Sequence, residues 1–370
     1  MKKHHPKNER IKRRYFDYLK EAKRMDVSSV DMAAAAIASF EQWAHYRDFA
    51  KFHIEQAKGY KAHIARTVNE KTGKPLAKAT IHSRLMALKA FVFWLAGQPG
   101  YKSRISYADA DYFNPSANDS RIATTRREKK VPTIEQIKLV LSKMPTGSDI
   151  EKRDRAIIAF TLLTGARDNA IASFSLKHID LVNRKVFQDA REVRTKNRKT
   201  FTTFFFPVCT DVEEIVRNWV KHLKEELLFG SDDPLFPATK VGLTNSGLFG
   251  ALGLSRNHWK NASAIRRIFK TAFEAAGLPY ANPHSVRDTL THLGETLCQT
   301  PEEFKAWSQN IGHDQVMTTF TSYGVVATGR QKEILGGIAT RKTKNTDTIS
   351  GDPDDKTVLR VLAYLSNSVS

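Results

Sequence analysis

The chain has 370 residues, enough for about two or three domains with a core each. Lysine and arginine outnumber aspartate and glutamate 59 to 39, a net charge of +20 that favours a polyanionic partner. Cys209 and Cys298 are the only cysteines, too few for a disulfide framework or a zinc cluster. No apolar run has the length of a membrane span, and the basic start of the chain lacks the apolar stretch of a secretory signal. The expectation is a cytoplasmic, nucleoid-associated protein with no membrane partner.

Residues 1–30 hold ten basic and four acidic residues, and 1–27 read as a basic extension, either an arm along a polyanion or a solvated helix face. Residues 28–115 have the pattern of a small helical bundle. Ser28 or Ser29 is placed to cap a helix over 30–43, and a second helix covers about 49–67. After a break at Lys74 and Pro75, Thr80 is placed to cap a third helix over 81–95. There Leu85, Leu88, Phe91, Val92 and Leu95 recur at three-to-four spacing, so the aromatic residues read as core rather than as stacking platforms. Lys78, Thr80, His82, Arg84 and Lys89 are candidate phosphate contacts, the last four largely off that stripe. Regularity is lost over 97–130, and 116–130 read as a basic interdomain linker in which Arg126, Arg127, Lys129 and Lys130 could meet a polyanion.

Thr133 and Gln136, spaced as a capping box, open a second domain expected over 131–340. Helices are predicted at about 134–143, 151–164, 211–228 and 261–277, with others starting at Pro283, at Pro301 and just after His313. Between them, 185–188, 193–195 and 200–206 read as short strands around the turn 196–199. A flexible strap over 341–355 leads to an amphipathic segment, 358–365, so that 341–370 form a C-terminal strap and helix. The expected fold class is mainly α with a small β-hairpin or sheet: a helical N-terminal bundle, then a mixed α+β, mostly helical second domain.

Asn282 and Pro283 are a favoured cap and first helical residue, which places His284 in a first turn where backbone N–H groups and the positive dipole end attract an anion. The dipole also favours neutral His284, able to accept a proton. Arg287, three residues on, shares its helix face. Arg167 follows Gly165 at a helix junction, where a guanidinium can clamp a phosphate or pair with Asp168 or Asp180. Lys196 lies in the strand-to-strand turn, where a lysine can protonate a leaving alkoxide, with Arg198 and Lys199 as neighbouring rivals. Arg198 is also a candidate contact to the polyanion. His313 follows Gly312, and Tyr323 lies ten residues further. A phenol has a pKa of about 10 and attacks poorly unless its charge is stabilised and its proton removed. Arginines holding a phosphodiester, with His284 in reach, provide both. No P-loop, metalloprotease or paired-cysteine motif is present, and no cofactor or metal is expected.

Taken in order, Arg167, Lys196, the His284 and Arg287 pair, the Gly312 and His313 pair, and Tyr323 resemble the signature of the tyrosine recombinases: phage-type integrases, with Cre and Xer as cousins. The resemblance covers 131–330 and, more loosely, 30–115, where the run 79–95 is similar to the helix before the linker in the family's core-site-binding domain. It implies that Arg167, Arg287 and His313 bind the scissile phosphate, that Lys196 is the general acid for the 5′-hydroxyl and His284 an acid/base aid, and that Tyr323 is the nucleophile forming a 3′-phosphotyrosyl link. The implied activity is site-specific recombination through a Holliday junction by a homotetramer on two double-stranded DNA sites, with accessory DNA-bending proteins as further partners. It also suggests that 358–365 could dock on a neighbouring protomer, although packing on its own domain is the alternative. Where family members often carry an acid three residues after the first arginine, this chain has Ala170, with Asp168 as a substitute. Other readings are a type IB topoisomerase-like nicking–closing enzyme, a non-catalytic DNA-binding regulator, and a strand transferase using three carboxylates around Mg²⁺.

Overall fold

Apolar residues at helical spacing build the first part of the molecule, and short caps decide where each helix begins. The computed structural model describes residues 4–69, 72–125, 131–244 and 247–312. The chain divides into two units, Met1–Arg126 and Arg127–Ser370.

In the first unit, α1 (Pro6–Asp17) begins on a proline whose fixed φ suits the first helical turn, and continues into one π-helical turn, Tyr18–Ala22. The cap of α2 (Val27–Trp43) is Asp26, whose carboxylate accepts the Ser29 N–H at 2.7 Å; the serines expected as caps fall inside the first turn. Residues 49–67 are not one helix. A 3₁₀ turn, Phe49–Lys51, precedes α3 (Ile54–Arg66), which starts where His53 and Gln56 form a capping box. Thr80 is likewise not a cap, because α4 (Lys78–Ala96) is already helical two residues before it. Nor is 97–130 irregular throughout: Ser106 and Asp109 cap a 3₁₀ turn, Tyr107–Phe113, and Ser116 caps α5 (Ala117–Thr124), inside the stretch that reads as linker. Ile37, Tyr60, Leu88, Phe91 and Phe113 form the centre of this bundle, so the periodic aromatic residues of α3 and α4 are core, as expected. Phe93, off the stripe, faces solvent.

The second unit opens with α6 (Ile134–Lys143), and Thr133 and Gln136 close the predicted capping box at 3.2 and 3.0 Å. Helix α7 (Asp149–Thr164) is its axis, with Ala156 through Thr164 all buried. Gly165 ends it in the left-handed region, φ 60°, and α8 (Asp168–Ile171) follows. Strands β1 (Ile179–Asp180), β2 (Lys185–Gln188) and β3 (Phe201–Phe204) form an antiparallel sheet in sequence order, Gln188 opposite Phe201 and Lys185 opposite Phe204. Residues 193–195 are not a strand; Val193 plugs into the core instead. After α9 (Thr210–Glu225) comes a hairpin absent from the sequence expectations, β4 (Thr239–Leu243) with β5 (Phe249–Leu254). Its apolar residues Val241, Leu243, Phe249 and Leu252 face solvent, and Gly242, Gly250 and Gly253 interrupt it, so no buried face and no continuous run of strand-forming residues marks it. Then follow α10 (Ser263–Ala275), α11 (Pro283–Leu297) and α12 (Pro301–Ile311), the last capped by Thr300 and Glu303. Among the described residues the fold is mainly α with two small antiparallel sheets. The helix expected after His313, the strap 341–355 and the segment 358–365 lie outside the described residues.

The basic N-terminal stretch is built into the first unit's core rather than lying against solvent on all sides. Ile11, Tyr15 and Leu19 join the bundle, and Tyr15 meets Phe91 with ring centroids 5.0 Å apart. Beside them Asn8 is wholly buried and meets its polar partners: its Nδ2 donates to Glu41 Oε1 at 2.9 Å and to the Arg47 carbonyl at 2.8 Å, and its Oδ1 accepts the Phe49 N–H at 3.0 Å. Replacing Asn8 with alanine strands a buried carboxylate oxygen, a carbonyl and an N–H together. Asn8→Ala should therefore lower unfolding free energy by about 1–3 kcal/mol, read as a lower urea midpoint with an unchanged slope. A midpoint equal to that of the parent would mean that this segment is not part of the cooperative unit.

Candidate active site

The described candidate groups of the second unit, Arg167, Lys196, His284 and Arg287, sit near helix starts or at the tip of a loop, and one buried guanidinium joins several helix ends. Asn282 caps α11 by accepting the Ser285 N–H at 3.1 Å, and Pro283 is the first helical residue, as read from the sequence. His284 is exposed in that first turn, whereas Arg287, one turn on, is only 2 % exposed. Its Nη1 donates to the Gly165 carbonyl and its Nη2 to the Ile311 carbonyl at 2.8 Å. The first carbonyl lies two residues before Arg167; the second lies two residues before His313. Arg287 thereby brings the Arg167 junction, the His284 turn and the chain leading into His313 to one place.

Local backbone chemistry prepares both ends. Gly165 takes a left-handed φ that closes α7, its N–H reaching the Thr161 carbonyl at 2.8 Å, and an added Cβ would lie 3.1 Å from Leu290 Cδ1. Arg167 follows in extended backbone at the start of α8, half-buried. The carboxylate of Asp168 is held by Arg266 Nε at 2.6 Å, and Asp180 accepts the Val182 and Asn183 N–H groups. Ala170 is buried against the core, where an acid would be desolvated.

At the far end of α12, Gly312 has φ +84°, and a Cβ there would lie 2.7 Å from the Phe201 ring. Asn310 then stitches the helix end to β3: its Oδ1 accepts the Phe204 N–H at 2.7 Å, its Nδ2 donates to the Phe204 carbonyl at 2.9 Å, and its own carbonyl accepts from Thr203 Oγ1 at 3.2 Å. Strand β3 leads directly from the lysine turn. Lys196 is exposed in a 3₁₀ turn, Lys196–Arg198, where Asn197 and Arg198 are both left-handed. Arg191 bonds with the Asp189 carboxyl at the base of this loop and holds it down at about 2, well below the usual carboxylate range. Arg198 is exposed at the tip, and the Lys199 ammonium lies 5.8 Å from the centre of the Phe201 ring.

Of the six candidates, Arg167, His284 and Arg287 are joined through these contacts and Lys196 lies on the loop that feeds β3, while His313 and Tyr323 fall outside the described residues. Sequence reasoning missed Asn310, Arg194 and Arg266. Only Gly312, already visible beside His313, carried a signal, since a glycine just past a helix commonly marks a left-handed end.

In the first unit, Thr80 is exposed and His82 and Arg84 are half-buried on α4. Lys78 pairs with Asp119 at 2.6 Å, and Lys89 with Asp111 at 2.8 Å and Asn114 Oδ1 at 2.9 Å. Arg126, Arg127, Lys129 and Lys130 lie outside the described residues.

Residues 130–327 match the family model described as "Phage integrase family". Tyrosine recombinase XerC of Lactobacillus delbrueckii subsp. bulgaricus is 23 % identical over 251 residues, covering 67 % of this chain and 72 % of that protein. Tyrosine recombinase XerC of Escherichia coli O157:H7 is 24 % identical over 247 residues, covering 66 % and 70 %. Among solved structures, a lambda integrase dimer bound to a COC′ core site aligns with a TM-score of 0.58 at 12 % identity, over 86 % of this chain and 96 % of that one. The Tn1549 transposon integrase in complex with transposon right end DNA aligns with a TM-score of 0.56 at 16 % identity, over 89 % and 99 %.

The contact between Gly312 and Phe201 can be tested by itself. A methyl at Gly312 adds about 1–2 kcal/mol of left-handed strain and collides with the ring. Gly312→Ala should cost at least that much in chemical denaturation. Because part of the loss is the collision, Gly312→Ala combined with Phe201→Ala should lose less than the sum of the two single changes. Additive losses would show that the ring does not meet this position.

Proposed function

This chain belongs to the phage integrase family and is a tyrosine-type site-specific DNA recombinase, and we propose that Arg167, Lys196, His284, Arg287, His313 and Tyr323 are the residues with which it cuts and rejoins strands. The observation that carries this reading is the buried Arg287 guanidinium, which ties the Arg167 junction to the chain entering His313.

In the proposed scheme, Arg167, Arg287 and His313 hold the non-bridging oxygens of the scissile phosphate. The Tyr323 phenolic oxygen attacks phosphorus, with His284 taking its proton, and a phosphotyrosyl bond forms to the 3′ end. The bond from phosphorus to O5′ breaks, its electron pair goes to O5′, and the Lys196 ammonium supplies the proton that makes the 5′-hydroxyl. Rejoining reverses these steps with a 5′-hydroxyl from the other DNA. One phosphodiester is exchanged for another of similar energy, so no nucleotide hydrolysis is required. Stabilisation of the crowded, negatively charged phosphorane by fixed cations supplies most of the rate.

The partner is double-stranded DNA. The finer reading is a homotetramer on two recombination sites that passes through a Holliday junction, with accessory DNA-bending proteins and a nucleoid location. What supports it is the recombinase activity itself, the +20 charge, and the two integrases of similar fold, each bound to DNA, one of them as a dimer. No described helix is long and apolar enough to cross a membrane. On α4, Lys78, Thr80, His82, Arg84 and Lys89, and on the chain beyond it Arg126, Arg127, Lys129, Lys130 and Arg198, are proposed to meet the DNA.

Tyr323→Phe should retain DNA binding and lose the covalent protein–DNA adduct on a duplex nicked next to the cleavage point, resolved by denaturing electrophoresis. An adduct at the parent's yield would remove Tyr323 from the nucleophile's role. The parent's adduct should persist in EDTA, because the proposed chemistry routes no step through a metal ion; its disappearance there would contradict the scheme.

A further inference from the structure

We infer that Arg194 is a positioning residue for Lys196, a brace that holds the loop carrying the proton donor against the segment carrying Arg167. The inference deepens the proposed function and rests on Lys196 being the proton donor.

Lys196 lies in the connection between β2 and β3, residues 189–200, at an exposed tip. A lysine on such a tip has four rotatable bonds and a mobile base, a poor way to deliver a proton to one oxygen. Two residues before it, Arg194 is fastened at both its backbone and its side chain. Its N–H donates to Ser173 Oγ at 2.9 Å, its Nη1 donates to the Lys260 carbonyl at 2.6 Å, and its Nη2 donates to the Ala172 carbonyl at 2.9 Å and the Trp259 carbonyl at 2.5 Å.

Both anchor segments are themselves held. Ala172 ends α8, the short helix that Arg167 begins, and its N–H donates to the Asp168 carbonyl at 3.0 Å. Trp259 lies against the buried Arg153 guanidinium, 4.7 Å from ring centre to Cζ. One side chain thus joins the lysine loop to the end of the short helix that Arg167 begins and to the chain entering α10. Three carbonyls in two segments are reached by donors spread over a rigid planar fork, whereas an ammonium carries its three donors on one compact point. These donors point at main-chain oxygens of the protein, the geometry of a brace rather than of a phosphate contact. Loss of the brace would leave Lys196 present but badly aimed, and misplacement by about 1 Å can cost on the order of 10²-fold in rate.

The test uses the full chain and a nicked duplex selected by that chain from a random-sequence pool, made with either oxygen or sulfur at the bridging 5′ position of the scissile phosphate. A thiol has a pKa of about 8.5, so sulfur leaves as a thiolate without a donated proton. Arg194→Ala and Arg194→Lys should both slow single-turnover cleavage of the oxygen duplex by about 10²-fold and match the parent on the sulfur duplex. Lys196→Ala should behave in the same way. Arg194→Gln, which can still donate to one carbonyl, replaces alanine if the alanine variant fails to fold. Arg194 variants as fast as the parent on the oxygen duplex would overturn the inference. So would variants that remain slow on sulfur while Lys196→Ala recovers, since the defect then lies outside proton donation. If Lys196→Ala itself fails to recover on sulfur, the reading of Lys196 as proton donor falls, and the inference falls with it. An Arg194→Lys protein at the parent's rate would mark Arg194 as a simple charge and overturn the brace.

Discussion

The organisation of the second unit depends on one interaction, the guanidinium of Arg287 shared between two main-chain carbonyls. Both carbonyls belong to helix C-terminal turns: Gly165 closes α7 and Ile311 is the last residue of α12. Carbonyls at helix ends lack partners within the helix and carry the negative end of its dipole, so they need donors. A buried cation in turn needs acceptors to offset its desolvation. Each problem is the other's solution. These two carbonyls accept hydrogen bonds without carrying a full negative charge, so they do not neutralise the guanidinium, as the proposed phosphate contact requires. The same contact makes geometry and stability inseparable here. Removing the guanidinium leaves two buried carbonyls unsatisfied, at about 1–3 kcal/mol each, before any effect on chemistry is counted.

Both glycines beside this contact are required by conformation. Gly165 and Gly312 have positive φ and lie against Leu290 and the Phe201 ring respectively. Through Phe201 and Asn310 the end of α12 is tied to β3, and through β3 to the loop that presents Lys196. The proposed proton donor and the chain entering His313 are therefore coupled by packing and hydrogen bonds within one unit.

How much of this the sequence disclosed follows from what each signal depends on. Helices with an apolar stripe and a side-chain cap, such as α6 with Thr133 and Gln136 or α11 with Asn282 and Pro283, were legible because both cues are local. Element starts failed where two caps competed within a few residues, as Asp26 did with Ser28 and Ser29, or where no side-chain cap is used, as at Ala77 before α4. The hairpin of β4 and β5 was hidden because its apolar side chains face solvent and so follow no burial pattern. Among site residues, Arg167, His284 and Arg287 were visible as types at recognisable spacing, yet which arginine is buried and which histidine is exposed was not. The connections through Asn310, Arg194 and Arg266 were invisible, since each joins residues separated by many positions in the chain: Asn310 reaches Phe204, Arg194 reaches Trp259 and Lys260, and Arg266 reaches Asp168.

The first unit shows the opposite electrostatic arrangement. Lys78 and Lys89 of α4 are paired with Asp119 and Asp111, carboxylates whose side chains are 43 % and 61 % exposed. Pairs this open to water contribute little to stability and are screened further by salt. Exchanging such a carboxylate for a phosphate costs little and releases condensed counterions, so the pairing does not oppose the proposed DNA contacts. Arg287 is buried, fixed and bonded to neutral oxygens, suited to stabilising charge that develops during a reaction. Of the α4 lysines, Lys78 is exposed and Lys89 half-buried, and both are paired with exposed carboxylates, suited to reversible contact. The two kinds of cation are told apart by burial and by the partners they keep, and the net charge of the chain distinguishes neither.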